Sequence, residues 1–161
     1  GLNTGLAVVG NMGSEQRFDY SVLGDIVNLA ARLEGQSKFY GVDIVLGAET
    51  CAQVPEFATI ELDLIQVKGK TIGVNIFALL GDENMEKTSK FRGLKEEHQK
   101  MISSYRAQEW DRAKVKLRNC QALSESFGLK QLYNLYENRI TEYEAKPPAP
   151  NWDGVFIALD K

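Results

Sequence analysis

The chain has 161 residues, a net charge of −3, 43% hydrophobic and 25% charged residues, all ordinary for a globular protein of one domain with a small appendage. A slightly acidic balance excludes a general basic field for nucleic acid polymers or an anionic membrane surface. No apolar run approaches the roughly 20 residues of a membrane span, so no membrane contact is expected of this segment.

In chain order, residues 2–9 read as a strand, 10–15 as a glycine-containing turn and 17–23 as a returning strand. The two glycines of 10–13 match neither a dinucleotide fingerprint nor a P-loop, which leaves a hairpin as their reading. A helix is predicted over 25–36, with Asp25 in its first turn and Ile26, Leu29, Ala30 and Leu33 at helical spacing. Residues 42–46 form a short buried strand, and 48–54 a short helix stopped by Pro55. A hairpin of 58–67 and 71–80 follows, turning at 68–70. Strands and helices mixed in this way fit an α+β layer arrangement.

Residues 81–90 are polar and aperiodic and read as a linker between a segment of 1–80 and a helical tail of 91–161. Three apolar stripes predict three antiparallel helices in that tail. The first runs from Phe91 through Leu94 and His98 to Tyr105, the second from Trp110 to Leu123, and the third from Leu129 to Tyr143. A tetratricopeptide flavour around Tyr105 and Trp110 has no second copy, so no repeat array is supported. His98 is the only histidine and lies on an apolar stripe, which reads as a packed histidine and not a metal ligand. Cys51 and Cys120 match no disulfide or metal spacing and read as reduced structural thiols. A Pro-rich extended end carries Trp152 and Phe156, placed to cover an apolar groove.

The helix over 25–36 also carries Asn28 and Arg32, four residues apart and therefore on one side. On spacing alone such a pair reads as a solvated face. Its chemistry nevertheless suits a ribose and a phosphate. Arg offers a planar fork of permanent donors, and Asn a neutral donor and acceptor.

The stretch Phe18-Asp19-Tyr20-Ser21-Val22-Leu23-Gly24-Asp25, continued by Val27-Asn28-Leu29-Ala30-Ala31-Arg32-Leu33-Glu34, closely resembles the signature of the class III nucleotidyl cyclases, the adenylate and guanylate cyclases. The flanking Gly1-Leu2-Asn3-Thr4-Gly5 and Val8-Val9-Gly10-Asn11-Met12-Gly13, and the later Val67-Lys68-Gly69-Lys70, are similar to the family's neighbouring strand, turn and hairpin. The resemblance covers about residues 1–80 and only the C-terminal half of such a ferredoxin-like domain, an antiparallel sheet with helices.

The resemblance implies conversion of ATP to 3′,5′-cyclic AMP and pyrophosphate. Arg32 would stabilise charge developing on the α-phosphate and Asn28 would orient the ribose. Ser21 stands at the base-reading position, where guanine-using members usually place Cys, and so favours adenine. Lys68 would reach the terminal phosphates, with Lys70 as the alternative. The family's two aspartates that hold Mg2+ or Mn2+ belong to its upstream half, and Asp19 and Asp25 do not occupy their positions, so no metal ligand is assigned here.

The chain is accordingly expected to be a C-terminal fragment, inactive alone, of a cytoplasmic enzyme that works as a homodimer and whose parent could be anchored upstream. A guanylate cyclase, or a non-catalytic module for dimerisation or partner binding, are the alternatives. Strand edges and a sheet face without their upstream cover predict association or rearrangement.

Overall fold

The computed structural model describes residues 1–14, 17–66 and 73–157. Strands β1 (Val8–Ser14) and β2 (Arg17–Leu23) pair antiparallel as a separate two-stranded ribbon, with Val8 opposite Leu23. The strand predicted over 2–9 is displaced. Only Leu2 of its first half pairs, in an isolated bridge beside Leu46, and β1 runs on through the residues predicted as turn.

Helix α1 (Asp25–Tyr40) follows, then β3 (Val45–Gly47) and α2 (Ala48–Ala52). α1 continues past Gln36, the predicted end, because the helix has a later reason to persist. Tyr40 is fully buried, and the stop comes at Gly41, in the left-handed conformation with φ 70°.

Strands β4 (Ala58–Gln66) and β5 (Val74–Gly81) form the predicted long hairpin, whose connection lies outside the described residues. The second sheet runs β3-β5-β4-β6, the last being β6 (Phe156–Ile157), which pairs parallel with Ile65 and Gln66 of β4. Within β4 the register slips. Glu61 faces Phe77 and Asp63 faces Ile76, leaving Leu62 as an extra, bulged residue. A bulge re-aims the side chains beyond it. Here Leu62 and Asp63 are both buried, against the alternation of an ordinary strand.

Beyond β5 come α3 (Glu83–Glu86), α4 (Ser89–Arg106), α5 (Trp110–Leu123) and α6 (Lys130–Ala145). The polar stretch after β5 is held by caps. The Asp82 carboxylate accepts from the backbone amides of Asn84 and Met85, and the Thr88 hydroxyl from that of Phe91. The three long helices bury the stripes read from their periodicity, including Leu94, Met101 and Tyr105 on α4, Leu117 and Cys120 on α5, and Tyr133, Tyr136 and Ile140 on α6.

One hydrophobic cluster joins these residues to Leu33 and Tyr40 of α1, Val45 of β3, Ile60 and Leu62 of β4 and Ile76 and Ala78 of β5. The helical segment therefore packs directly on the sheet. It also caps the outer edge of β4. His98 Nε2 meets the Glu61 carbonyl at 2.6 Å, the Tyr136 hydroxyl donates to the Leu62 carbonyl at 2.8 Å, and β6 pairs with the last two residues. Edge groups that would otherwise await another strand are thus engaged by side chains.

Two buried polar groups stand out in this interface. The Asp63 carboxylate accepts from the Tyr40 hydroxyl at 2.7 Å, from Arg139 Nη1 and from the backbone amide of Leu64 at 2.8 Å. His98 is buried as expected. A carbonyl can only accept, so Nε2 carries the proton to Glu61 and Nδ1 accepts from the Tyr133 hydroxyl, 3.2 Å away. Burial first, and the nearby Arg106 charge second, depress the His98 pKa from 6.5 to about 4, with the Glu61 contact opposing them in part.

Two tests follow from these groups. Because His98 takes a proton more readily when unfolded, stability is expected to fall as pH drops from about 6.5 to about 4, by up to ~3 kcal/mol. His98→Gln should flatten that slope in urea titrations across the range. Asp63→Ala should cost about 3–5 kcal/mol by stranding the buried Arg139, and adding Arg139→Leu should recover much of the loss.

Candidate functional site

The candidate site is built on α1, and the fold explains how that helix is held. It leaves a glycine turn at Gly24 with Asp25 in its first turn, where a carboxylate complements the positive end of the helix dipole. Leu33 and Tyr40 are fully buried, with Ile26 and Leu29 half-buried beside them.

The N-terminal segment ties this helix to the sheet. Leu2 exchanges backbone hydrogen bonds with β3, donating to the Val45 carbonyl at 2.8 Å and accepting from the Gly47 amide at 2.9 Å. The next residue, Asn3, donates from Nδ2 to the Ile26 carbonyl of α1 at 3.1 Å. The approach is close on both sides. A Cβ on Gly1 would stand 2.1 Å from the Ala30 carbonyl oxygen, and one on Gly47 would stand 2.3 Å from Asn3 Oδ1. Glycine at those two positions is what lets the segment pass between helix and strand.

Asn28 is exposed and Arg32 half-buried, one turn apart on the same side of α1. Among the described residues, neither side chain makes a hydrogen bond or ion pair. An unneutralised guanidinium on a rigid helix is free to receive a phosphate oxyanion, and the amide beside it to meet a sugar oxygen. Ser21 is exposed on β2, opposite Gly10 in the ribbon, and no hydrogen bond joins it to Asn28 or Arg32. The structure thus brings Asn28 and Arg32 together and places Ser21 on the strand leading into their helix. Lys68 lies outside the described residues, as does Lys70.

A divalent metal is not provided for by these residues. Among the described residues, no group of three or more His, Cys, Asp or Glu side chains converges to hold one, and Asp19 and Asp25 join no such group. The donor set of these residues does not fit Mg2+ or Mn2+.

Sequence reasoning passed over several residues that support α1. Asp63 and Arg139 left a trace, since each is a charge set in an apolar pattern. Asn3 and Gln131 left none. Gln131, on α6, donates from Nε2 to the Lys38 and Phe39 carbonyls at the end of α1, at 2.8 and 2.9 Å.

Because no hydrogen bond or ion pair among the described residues engages the Asn28 and Arg32 side chains, Asn28→Ala and Arg32→Ala are expected to leave stability within about 0.5 kcal/mol. Chemical denaturation of the two variants checks this. A larger loss would mark them as structural residues.

Comparison with known proteins places the first half of the chain in a family. The family model described as the adenylate and guanylate cyclase catalytic domain matches residues 1–84. Adenylate cyclase 1 of Rhizobium meliloti is 35% identical over 82 residues, covering 50% of this chain and 12% of that protein. The terminal-differentiation specific adenylate cyclase of Dictyostelium discoideum is 36% identical over 91 residues, covering 54% and 4%. The adenylate cyclase of Anabaena cylindrica is 35% identical over 81 residues, covering 48% and 16%. The matched segment thus spans less than a fifth of each of these relatives. Among solved structures, the adenylyl cyclase CyaB from P. aeruginosa overlaps with a TM-score of 0.44 at 32% identity, over 50% of this chain and 40% of that one. Through the 84 residues that carry Asn28 and Arg32, the chain belongs to the adenylate and guanylate cyclase catalytic domain family.

Proposed function

We propose that this chain is the ribose- and phosphate-gripping half of an adenylate cyclase, which closes ATP to 3′,5′-cyclic AMP with release of pyrophosphate. The observation that carries the reading is the pair Asn28 and Arg32, side by side on α1 and without a hydrogen bond or ion pair among the described residues, in a segment of that family. In the reaction the ribose 3′-hydroxyl gives up its proton to solvent, its oxygen bonds to the α-phosphorus, and the bond from that phosphorus to the pyrophosphate oxygen breaks. Arg32 donates to the α-phosphate oxygens as negative charge gathers there, the preorganised electrostatic stabilisation that such a step requires. Asn28 holds the ribose so that its 3′-hydroxyl stands in line, which is a positioning contribution. Ser21 meets the base and favours adenine, and Lys68 reaches the terminal phosphates.

The Mg2+ or Mn2+ that cyclases of this family use would be held by aspartates of the upstream half of the catalytic domain, on a second subunit facing Asn28 and Arg32. A homodimer is therefore part of the proposal, and a single copy of this chain is inactive. The apolar surface of the β1–β2 ribbon supports association, since Val8, Val9, Tyr20 and Leu23 are all exposed. The proposed setting is the cytoplasm, where ATP is at hand. Among the described residues no helix is long and apolar enough to cross a membrane.

The test is cyclic AMP formation from ATP with manganese, comparing this chain with one extended upstream through the whole catalytic domain. Activity is expected only in the extended protein. Arg32→Ala should lower its kcat by about 10²–10³-fold, as for other lost transition-state donors. An extended dimer inactive with both ATP and GTP would overturn the reading in favour of a binding module.

A further inference from the structure

The family-matched segment ends at residue 84, yet the end of α1 is held by residues far beyond it. An α-helix leaves its last carbonyls without intrahelical donors. Gln131 of α6 supplies two of these donors, to Lys38 and Phe39. The fit is close, since a Cβ on the left-handed Gly41 would stand 2.6 Å from Gln131 Cβ. The neighbouring residues repeat the tie. The Tyr40 hydroxyl donates to Asp63, which also receives Arg139 of α6, and the Phe39 ring stacks on Phe156 with centroids 6.1 Å apart. The Arg139 guanidinium lies 3.5 Å from the centroid of the same Phe156 ring. Every residue on the far side of these contacts except Asp63 lies outside 1–84.

From this arrangement we propose that α6 positions α1 for the reaction, with Gln131 as the positioning residue that fixes the helix end and hence the placement of Asn28 and Arg32. The inference rests on the cyclase reading for its functional consequence, though not for the clamp itself. The geometry is that of a lever. The Asn3 contact pins the start of α1 at Ile26, and the clamp holds the other end at Phe39. With about 1.5 Å of rise per residue, Arg32 lies close to midway, so a displacement at Phe39 moves it by about half as much. Displacements of about 1 Å can cost as much as ~10²-fold in a positioned reaction.

Gln131 is exposed, so replacing it leaves the core closed. Gln131→Glu puts a carboxylate against two carbonyl oxygens at the negative end of the helix dipole. Gln131→Lys keeps a donor there and adds a charge of the favourable sign. Two readouts are paired: hydrogen exchange of backbone amides 36–41 in this chain, and steady-state kinetics with manganese–ATP in the upstream-extended protein.

The expected result is several-fold faster exchange in Gln131→Glu with unchanged overall folding by circular dichroism. Its kcat should fall about 10-fold with KM within about twofold, and both effects should be reversed in Gln131→Lys. Unchanged exchange in Gln131→Glu overturns the clamp. Faster exchange with unaltered kcat, or a Lys variant as impaired as the Glu variant, overturns the positioning role. If the extended protein makes no cyclic nucleotide with Gln131 intact, the cyclase reading has failed, and the exchange measurement still decides the clamp.

Discussion

The carboxylate of Asp63 is the point at which three parts of the chain meet. It stands on the bulged strand β4 and receives the Tyr40 hydroxyl from α1 and the Arg139 guanidinium from α6. Taking a carboxylate and a guanidinium out of water costs several kcal/mol each, recovered only when geometry and further hydrogen bonds are good. The Tyr40 hydroxyl and the Leu64 amide are those further bonds for Asp63. On the cationic side the recovery is incomplete, since Arg139 Nε and Nη2 have no hydrogen-bond partner among the described residues. The face of Phe156 offsets part of that deficit. An apolar replacement of the pair could be equally stable, so net stability does not account for it. Its directional contribution is register: α1 and α6 can sit against the sheet only where Tyr40 and Arg139 both reach one carboxylate.

The bulge at Leu62 makes that junction possible. In a regular strand, Glu61 and Asp63 would share a face, and the charge at 63 would accompany Glu61 towards Arg106 at the protein surface. With the extra residue, Asp63 turns into the core while Glu61 keeps its half-buried partner Arg106. The same irregular stretch leaves backbone carbonyls for His98 and Tyr136 to engage, so helices occupy an edge that a strand would otherwise extend. Contacts from within the chain thus cover part of this sheet's edge.

What was legible in the sequence follows the range of the forces involved. The stripes of α4, α5 and α6 were readable because burial of one face repeats every three to four residues, and His98 was read correctly as packed for the same reason. Boundaries set by glycine were read less well. Gly10 and Gly13 suggested a turn, yet β1 pairs through both, and the helix predicted to end at Gln36 runs on, carried by the burial of Tyr40 to its stop at Gly41. That Asn28 and Arg32 share one side of α1 was readable from their spacing, since both belong to one continuous helix. The grip on the end of α1 was not readable. It depends on contacts 92 and 93 residues apart, made by an exposed glutamine with no periodic or chemical signature.

That difference in range bears on what counts as the functional unit. The residues proposed to touch nucleotide are local to α1, but the orientation of α1 belongs to the whole chain, because its two ends are fixed by different segments. Asn3 holds the start from within the family-matched part, and Gln131, together with the Asp63–Arg139 junction, holds the end from the helical part. The two parts also share one core, with Ile60, Leu62, Ile76 and Ala78 of the sheet packed in the same cluster as Leu94, Tyr105 and Tyr136. A helix presented to a ligand in this way derives its rigidity from both sides of the boundary at residue 84. The packing gives no reason to treat the helical segment as an appendage, and it supplies a physical route by which changes in α6 would reach Arg32.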